Sequence, residues 1–153
     1  MERKEFLRTL GAGAAFALTF PCLGGCSNDE ENIGNIVTPP ANVDFTIDLS
    51  GSDAAELVNN GGFILVKSSP ELSFKDIVLV RNLDGILIAA TTVCSHEQYD
   101  QVRFDSRNGG TFFCDVHGSR FGQDGTPLNT IPNSTPRALK VYNTDGDILR
   151  IFE

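Results

Sequence analysis

Beyond position 26 the chain has only two cysteines and two histidines, and all four fall in two short stretches, TTVCSHEQYD (91–100) and FFCDVHGSRFG (112–122). The pattern is Cys94-x-His96, seventeen residues, then Cys114-x-x-His117. Thiolate and imidazole are both metal ligands, so a fold that uses them together must bring two separate loops to one point. Three metal sites could draw on such a set. Structural zinc takes two Cys and two His, but its local spacings usually pair like with like, Cys-x(2–4)-Cys and His-x(3–5)-His. Here each local pair mixes one Cys with one His. Blue copper needs two His, one Cys and usually an axial Met, and the sole methionine is Met1. The third is a [2Fe–2S] centre in which two His replace two Cys on one iron.

The fold around these stretches reads as all-β. VDFTIDLS (43–50) alternates apolar and polar residues with period two. GGFILVKSS (61–69) is a short apolar run opened by Gly61-Gly62. DIVLVRN (76–82) and GILIAATTV (85–93) meet at Leu83-Asp84-Gly85, and RALKVYN (137–143) and DILRIFE (147–153) flank Thr144-Asp145-Gly146; Asp-Gly is a strong hairpin signal. QVRFDS (101–106) and TFFCD (111–115) predict two more short strands turned by Gly109-Gly110. AELVNN (55–60) predicts a helical turn. With no long helical period and no repeat, the expectation is an antiparallel β sandwich or partly closed barrel spanning 43–153. The Cys/His stretches sit at strand ends, as two ligand loops near 94–99 and 114–121.

The first 26 residues have the parts of an export signal. Arg3, Lys4 and Arg8 make a basic start, and Thr9–Phe20 form an apolar run too short for a membrane span. LGGC (23–26) resembles the lipobox of bacterial lipoproteins. That resemblance implies a signal peptide over 1–25, cleavage after Gly25 and a lipid on Cys26. Arg3-Lys4 followed by Phe6-Leu7 resembles a twin-arginine signal, which leaves both export routes open. SNDEENIGNIVTPPANV (27–43) has little to bury, so 26–42 is expected to be a flexible tether. Removing residues 1–25 takes away three basic and two acidic residues, so the −8 of the whole chain becomes −9. A body this acidic lacks the basic footprint of a nucleic-acid binder. Anionic headgroups repel it, so a lipid rather than a basic surface would hold it at a membrane.

CSH (94–96), CDVHGSRFG (114–122) and the proline-containing TPLNTIPNSTPRALKVY (126–142) resemble the ligand loops and cluster lid of Rieske proteins. The resemblance implies a Rieske-like fold with a small cluster-binding subdomain and one [2Fe–2S] cluster per chain. It assigns one iron to Cys94 and Cys114 and the other to His96 and His117, with both rings facing outward. Quinol-oxidising members usually add a disulfide between the two loops; at the matching places this chain has Tyr99 and Val116. Of the two hydroxyls that tune such clusters, Ser119 stands at the serine position and Phe121 replaces the tyrosine, which implies an intermediate reduction potential. Pro127, Pro132 and Pro136 are expected to stiffen the lid. Phe112, Phe113 and Phe121 fit either a cluster shield or the core.

The function this implies is an exported, membrane-anchored one-electron carrier in the cell envelope, facing the periplasm and serving a respiratory or periplasmic redox partner such as a cytochrome or a quinol-oxidising complex. The acidic run after Cys26 also resembles surface-export signals of some lipoproteins, which leaves the cell surface open. Two alternatives stand beside it. A Rieske subunit of a quinol–cytochrome c reductase-like complex is disfavoured by the missing disulfide and membrane span. A ferredoxin component of an oxygenase is disfavoured by the leader.

Overall fold

The computed structural model describes residues 36–132, 135–146 and 148–153. The expected signal peptide, Cys26 and the first part of the expected tether lie outside the described residues. The strands run in chain order as β1 (Asp44–Ile47), β2 (Phe63–Val66), β3 (Ile77–Arg81), β4 (Leu87–Thr91), β5 (Val102–Asp105), β6 (Thr111–Cys114), β7 (Arg120–Phe121), β8 (Val141–Asp145) and β9 (Leu149–Phe152). They pair antiparallel as a six-stranded sheet, β1-β9-β8-β4-β3-β2, and a three-stranded sheet, β5-β6-β7. The large sheet curls into a half-barrel and the small one carries part of the site, so the described residues are nearly all β.

β3 explains why there are two cores. Successive strand residues point to opposite faces, and in β3 both faces are covered. Val78 and Val80 pack with Val102, Phe104, Phe112, Phe121, Cys94 and Cys114, toward the small sheet. Ile77 and Leu79 pack with Leu149, Ile151, Tyr142 and the buried Ala54 and Leu57 of a 3-10 helix at Ser52–Val58. All four of these β3 residues are fully buried, which is why Ile-Val-Leu-Val is a continuous apolar run instead of an alternating one. Each such side chain contributes roughly 1.5–3 kcal/mol of burial free energy.

The strand map departs from the sequence reading in three places. β8 begins at Val141 and runs through Thr144 and Asp145, so the turn starts at Gly146, with φ 88°. Thr144 is kept in the strand by its hydroxyl, which donates to the Leu87 carbonyl at 2.9 Å. The helical turn expected at 55–60 is a longer 3-10 helix that starts at Ser52. Arg120–Phe121, expected as loop, is a strand paired with Phe113 and Phe112. A two-residue strand shows no periodicity, and the full burial of Phe121 supplies the reason it docks.

Residues 36–42, inside the stretch expected as tether, lie along the body. Val37 N–H donates to the Gln98 carbonyl (2.8 Å), Lys140 Nζ donates to the Pro40 carbonyl (3.0 Å), and Asn42 N–H donates to Glu153 Oε2 (3.0 Å). Among the described residues no helix is long and apolar enough to cross a membrane.

Candidate metal centre

Both cysteines are delivered by strand ends. Cys94 follows β4 by three residues, and Cys114 is the last residue of β6, opposite Val102 at the start of β5. Each then opens a six-residue loop closed by the same two backbone hydrogen bonds. In the first, Gln98 N–H donates to the Cys94 carbonyl and Cys94 N–H to the Tyr99 carbonyl, both at 2.8 Å. In the second, Gly118 N–H donates to the Cys114 carbonyl (2.9 Å) and Cys114 N–H to the Ser119 carbonyl (2.8 Å). The fifth residue is left-handed in both, Gln98 at φ 61° and Gly118 at φ 74°. The positive φ expected of Gly118 is present; a Cβ there would meet nothing within 4 Å, so backbone conformation alone calls for glycine. The backbone N–H groups of the third and fourth residues of each loop favour the thiolate of the first, those of His96 and Glu97 at Cys94 and those of Val116 and His117 at Cys114.

Cys94 and Cys114 are buried and free of disulfide. They interact with each other. The Cys114 thiol, with the His96 N–H, the Ser119 hydroxyl and the Glu97 N–H, lowers the pKa of Cys94 to about 6 against the opposing effect of burial. The resulting thiolate, together with burial, pushes Cys114 up. One of the two sulfurs ionises readily and the second resists, because two thiolates in contact repel. A cation between them removes that penalty.

Spacing decides how the histidines present themselves. His96 is the third residue of its loop and His117 the fourth of its own. The third place is turned inward: the His96 side chain is 5% exposed, and its Nδ1 is buried without a hydrogen-bond partner among the described residues. The fourth place faces out, with His117 at 36%. The expectation that both rings face outward therefore holds for His117 and not for His96. The rings meet edge to face, centroids 5.1 Å apart. Glu97, which sequence reasoning passed over, brings Oε1 to 3.9 Å from His96 Nε2 and Oε2 to 3.7 Å from His117 Nδ1 while staying 52% exposed. His96, Glu97 and His117 offer ligand atoms within 4.8 Å of one another. No periodicity or spacing singles out Glu97; only its adjacency to His96 could have drawn notice.

The sixth residue of each loop reaches a histidine or cysteine of the other. The Tyr99 ring packs edge-on against His117, centroids 5.8 Å apart at 66°. Apart from the Cys94 sulfur, whose pKa it helps lower, the fully buried Ser119 hydroxyl has no hydrogen-bond partner among the described residues. Phe121 is fully buried in the core that also contains both cysteines, with Phe112, whereas Phe113 is half-buried with the Arg120 guanidinium 5.8 Å over its ring. The proline-containing segment is tied to both loops. Pro127 bridges Phe121, and the Asn129 side chain accepts from Arg120 N–H (2.7 Å) and donates to the Gly118 carbonyl (2.9 Å). Ser95 Oγ donates to the Arg137 carbonyl (2.5 Å).

The donor set fits a [2Fe–2S] cluster with two thiolates on one iron and two imidazoles on the other. Two observations speak for a metal at this place: the buried, unpaired His96 Nδ1, which costs roughly 1–3 kcal/mol if left so, and the thiol pair that a cation would let ionise together. Zinc would satisfy the same atoms, so the donor set alone does not choose between them. Comparison with known proteins does. The family model of the Rieske [2Fe–2S] domain matches residues 56–148, more than half of the chain. Among solved structures, the plasma-membrane Rieske protein PetC3 of the cyanobacterium Synechocystis PCC 6803 is similar at 22% identity, over 74% of this chain and 99% of that one, with a TM-score of 0.44. No curated protein matches the chain. On the strength of the family match, the chain belongs to the Rieske [2Fe–2S] family, whose domain binds a [2Fe–2S] cluster.

Proposed function

We propose that the protein is an exported one-electron carrier, anchored in the cell envelope by a lipid on Cys26, in which Cys94 and Cys114 hold one iron and His96 and His117 the other. The observation that carries this reading is the pairing of two buried sulfurs with one exposed imidazole, His117, on matched loops. The cluster supplies a single reversible electron. The chain's residues do the rest: burial of both sulfurs excludes water, Ser119 offers a hydroxyl to sulfur, and the His117 edge is the place where a redox partner docks. The net −9 of the chain from Cys26 on favours a cationic partner surface.

Protein purified after growth with ample iron is expected to contain about two iron and two acid-labile sulfides per chain, the stoichiometry of one cluster, and to give an EPR signal on reduction. Stoichiometric zinc without labile sulfide would overturn the carrier. Labelled palmitate is expected on the wild-type chain and absent from Cys26→Ser; an unlabelled wild type removes the lipid anchor and leaves the carrier standing.

A further inference from the structure

Both ligand loops have a left-handed fifth residue, Gln98 and Gly118, and in both its carbonyl is taken by a donor from outside the loop. Val37 N–H donates to the Gln98 carbonyl at 2.8 Å, next to an antiparallel bridge between Ile36 and Tyr99. Asn129 Nδ2 donates to the Gly118 carbonyl at 2.9 Å, while its Oδ1 accepts from Arg120 N–H. No disulfide braces either loop, since Cys94 and Cys114 are both free. Ile36 is largely exposed, so this contact is held by backbone pairing and not by burial of that side chain.

We infer that the backbone of residues 36–37 and the amide of Asn129 are two pins, one per loop, that keep the ligand loops closed around the cluster. Both are positioning residues: they act on the αL residue, which holds the third and fourth N–H groups toward sulfur. The inference rests on the cluster-binding reading of these loops. Residues 36–37 also lie outside the part of the chain matched by the family model, 56–148. The segment that arrives from the N-terminal side is thus part of the first loop's support.

The test uses the full chain with its cluster. Asn129→Asp keeps the acceptor for Arg120 and removes the donor to Gly118. Val37→Pro removes the donor to Gln98, and Val37→Ala keeps it as the conservative control. Release of the cluster to a chelator is expected to be about tenfold faster in Asn129→Asp and Val37→Pro, the factor that loss of one hydrogen bond of about 1.4 kcal/mol produces, and unchanged in Val37→Ala. Amide hydrogen exchange, read with the cluster present and after its removal, separates a pin from general loosening. Asn129→Asp is expected to speed exchange at Cys114 and Gly118 alone, and Val37→Pro at Cys94 and Gln98 alone. Equal acceleration in both loops, or none in either, overturns the pins. Because exchange is also read without the cluster, a chain that binds no iron would overturn the carrier and still decide this inference. If Val37→Pro does not fold, the Asn129 arm decides it through the second loop.

Discussion

The loops 94–99 and 114–119 share one backbone scheme and differ in which place carries the histidine and which residue sits left-handed. His96 takes the inward third place and His117 the outward fourth; Gln98 holds the left-handed fifth place of one loop and Gly118 that of the other. The one-residue difference between Cys-x-His and Cys-x-x-His thus acquires a meaning that the pattern does not show. It turns one imidazole inward and leaves the other at the surface. The matched scaffold also lets each loop serve its neighbour, Tyr99 against His117 and Ser119 beside Cys94.

The largest effect comes from removing a donor. Cys94→Ala and Cys114→Ala, one from each loop, are each expected to abolish acid-labile sulfide in the purified protein; a cluster retained in either would break the equivalence of the loops. Next in size is the left-handed place. Gly118→Ala is expected to destabilise the chain by about 1–2 kcal/mol in urea unfolding, because the added Cβ meets free space and only the backbone is strained. Gln98→Ala exchanges one side chain with a Cβ for another, and should change stability by no more than about 0.5 kcal/mol. Equal losses at the two positions would mean that the loops tolerate φ > 0 alike.

A smaller effect is expected at the sixth place of the second loop. A neutral hydrogen bond has a net worth of about 1 kcal/mol. With about 59 mV per tenfold in a one-electron couple, Ser119→Ala should lower the reduction potential by about 40 mV, because the electron-rich reduced cluster gains more from the donor. Voltammetry of wild type and variant at one fixed pH reads it, and an unchanged or raised potential with an intact EPR signal would reduce Ser119 to a turn residue. Phe121→Tyr should shift the potential upward if the added hydroxyl reaches sulfur. The smallest effect belongs to the matching place of the first loop. Tyr99→Phe keeps the ring against His117 and should leave the potential unchanged, while Tyr99→Ala loses an aromatic contact worth about 0.5–1.5 kcal/mol.

Much of the strand map was legible because burial leaves a period. β1, β2, β3, β4, β5, β6 and β9 fall within the stretches read from alternation, apolar runs and turn residues. β7 was not legible, since two residues have no period and its pairing with β6 depends on Phe121 entering a core built by distant strands. The four Cys and His positions stood out through rarity and spacing alone. Glu97, Asn129 and Ile36–Val37 did not, for their roles come from a carboxylate between two rings, an amide facing a carbonyl and a backbone pairing. Polar residues in loops look the same in sequence whether they bond water or each other.

From sequence alone came the all-β class, the two Cys/His stretches and the kinship they imply, because these rest on residue type and on distances along the chain. The tertiary structure decided which histidine is buried and which is exposed. It also decided that Ser119 lies in the core beside Cys94 and that Val37 N–H pairs with the Gln98 carbonyl. Those outcomes depend on backbone pairing and on the packing of strands far apart in the chain, and neither leaves a mark on local composition.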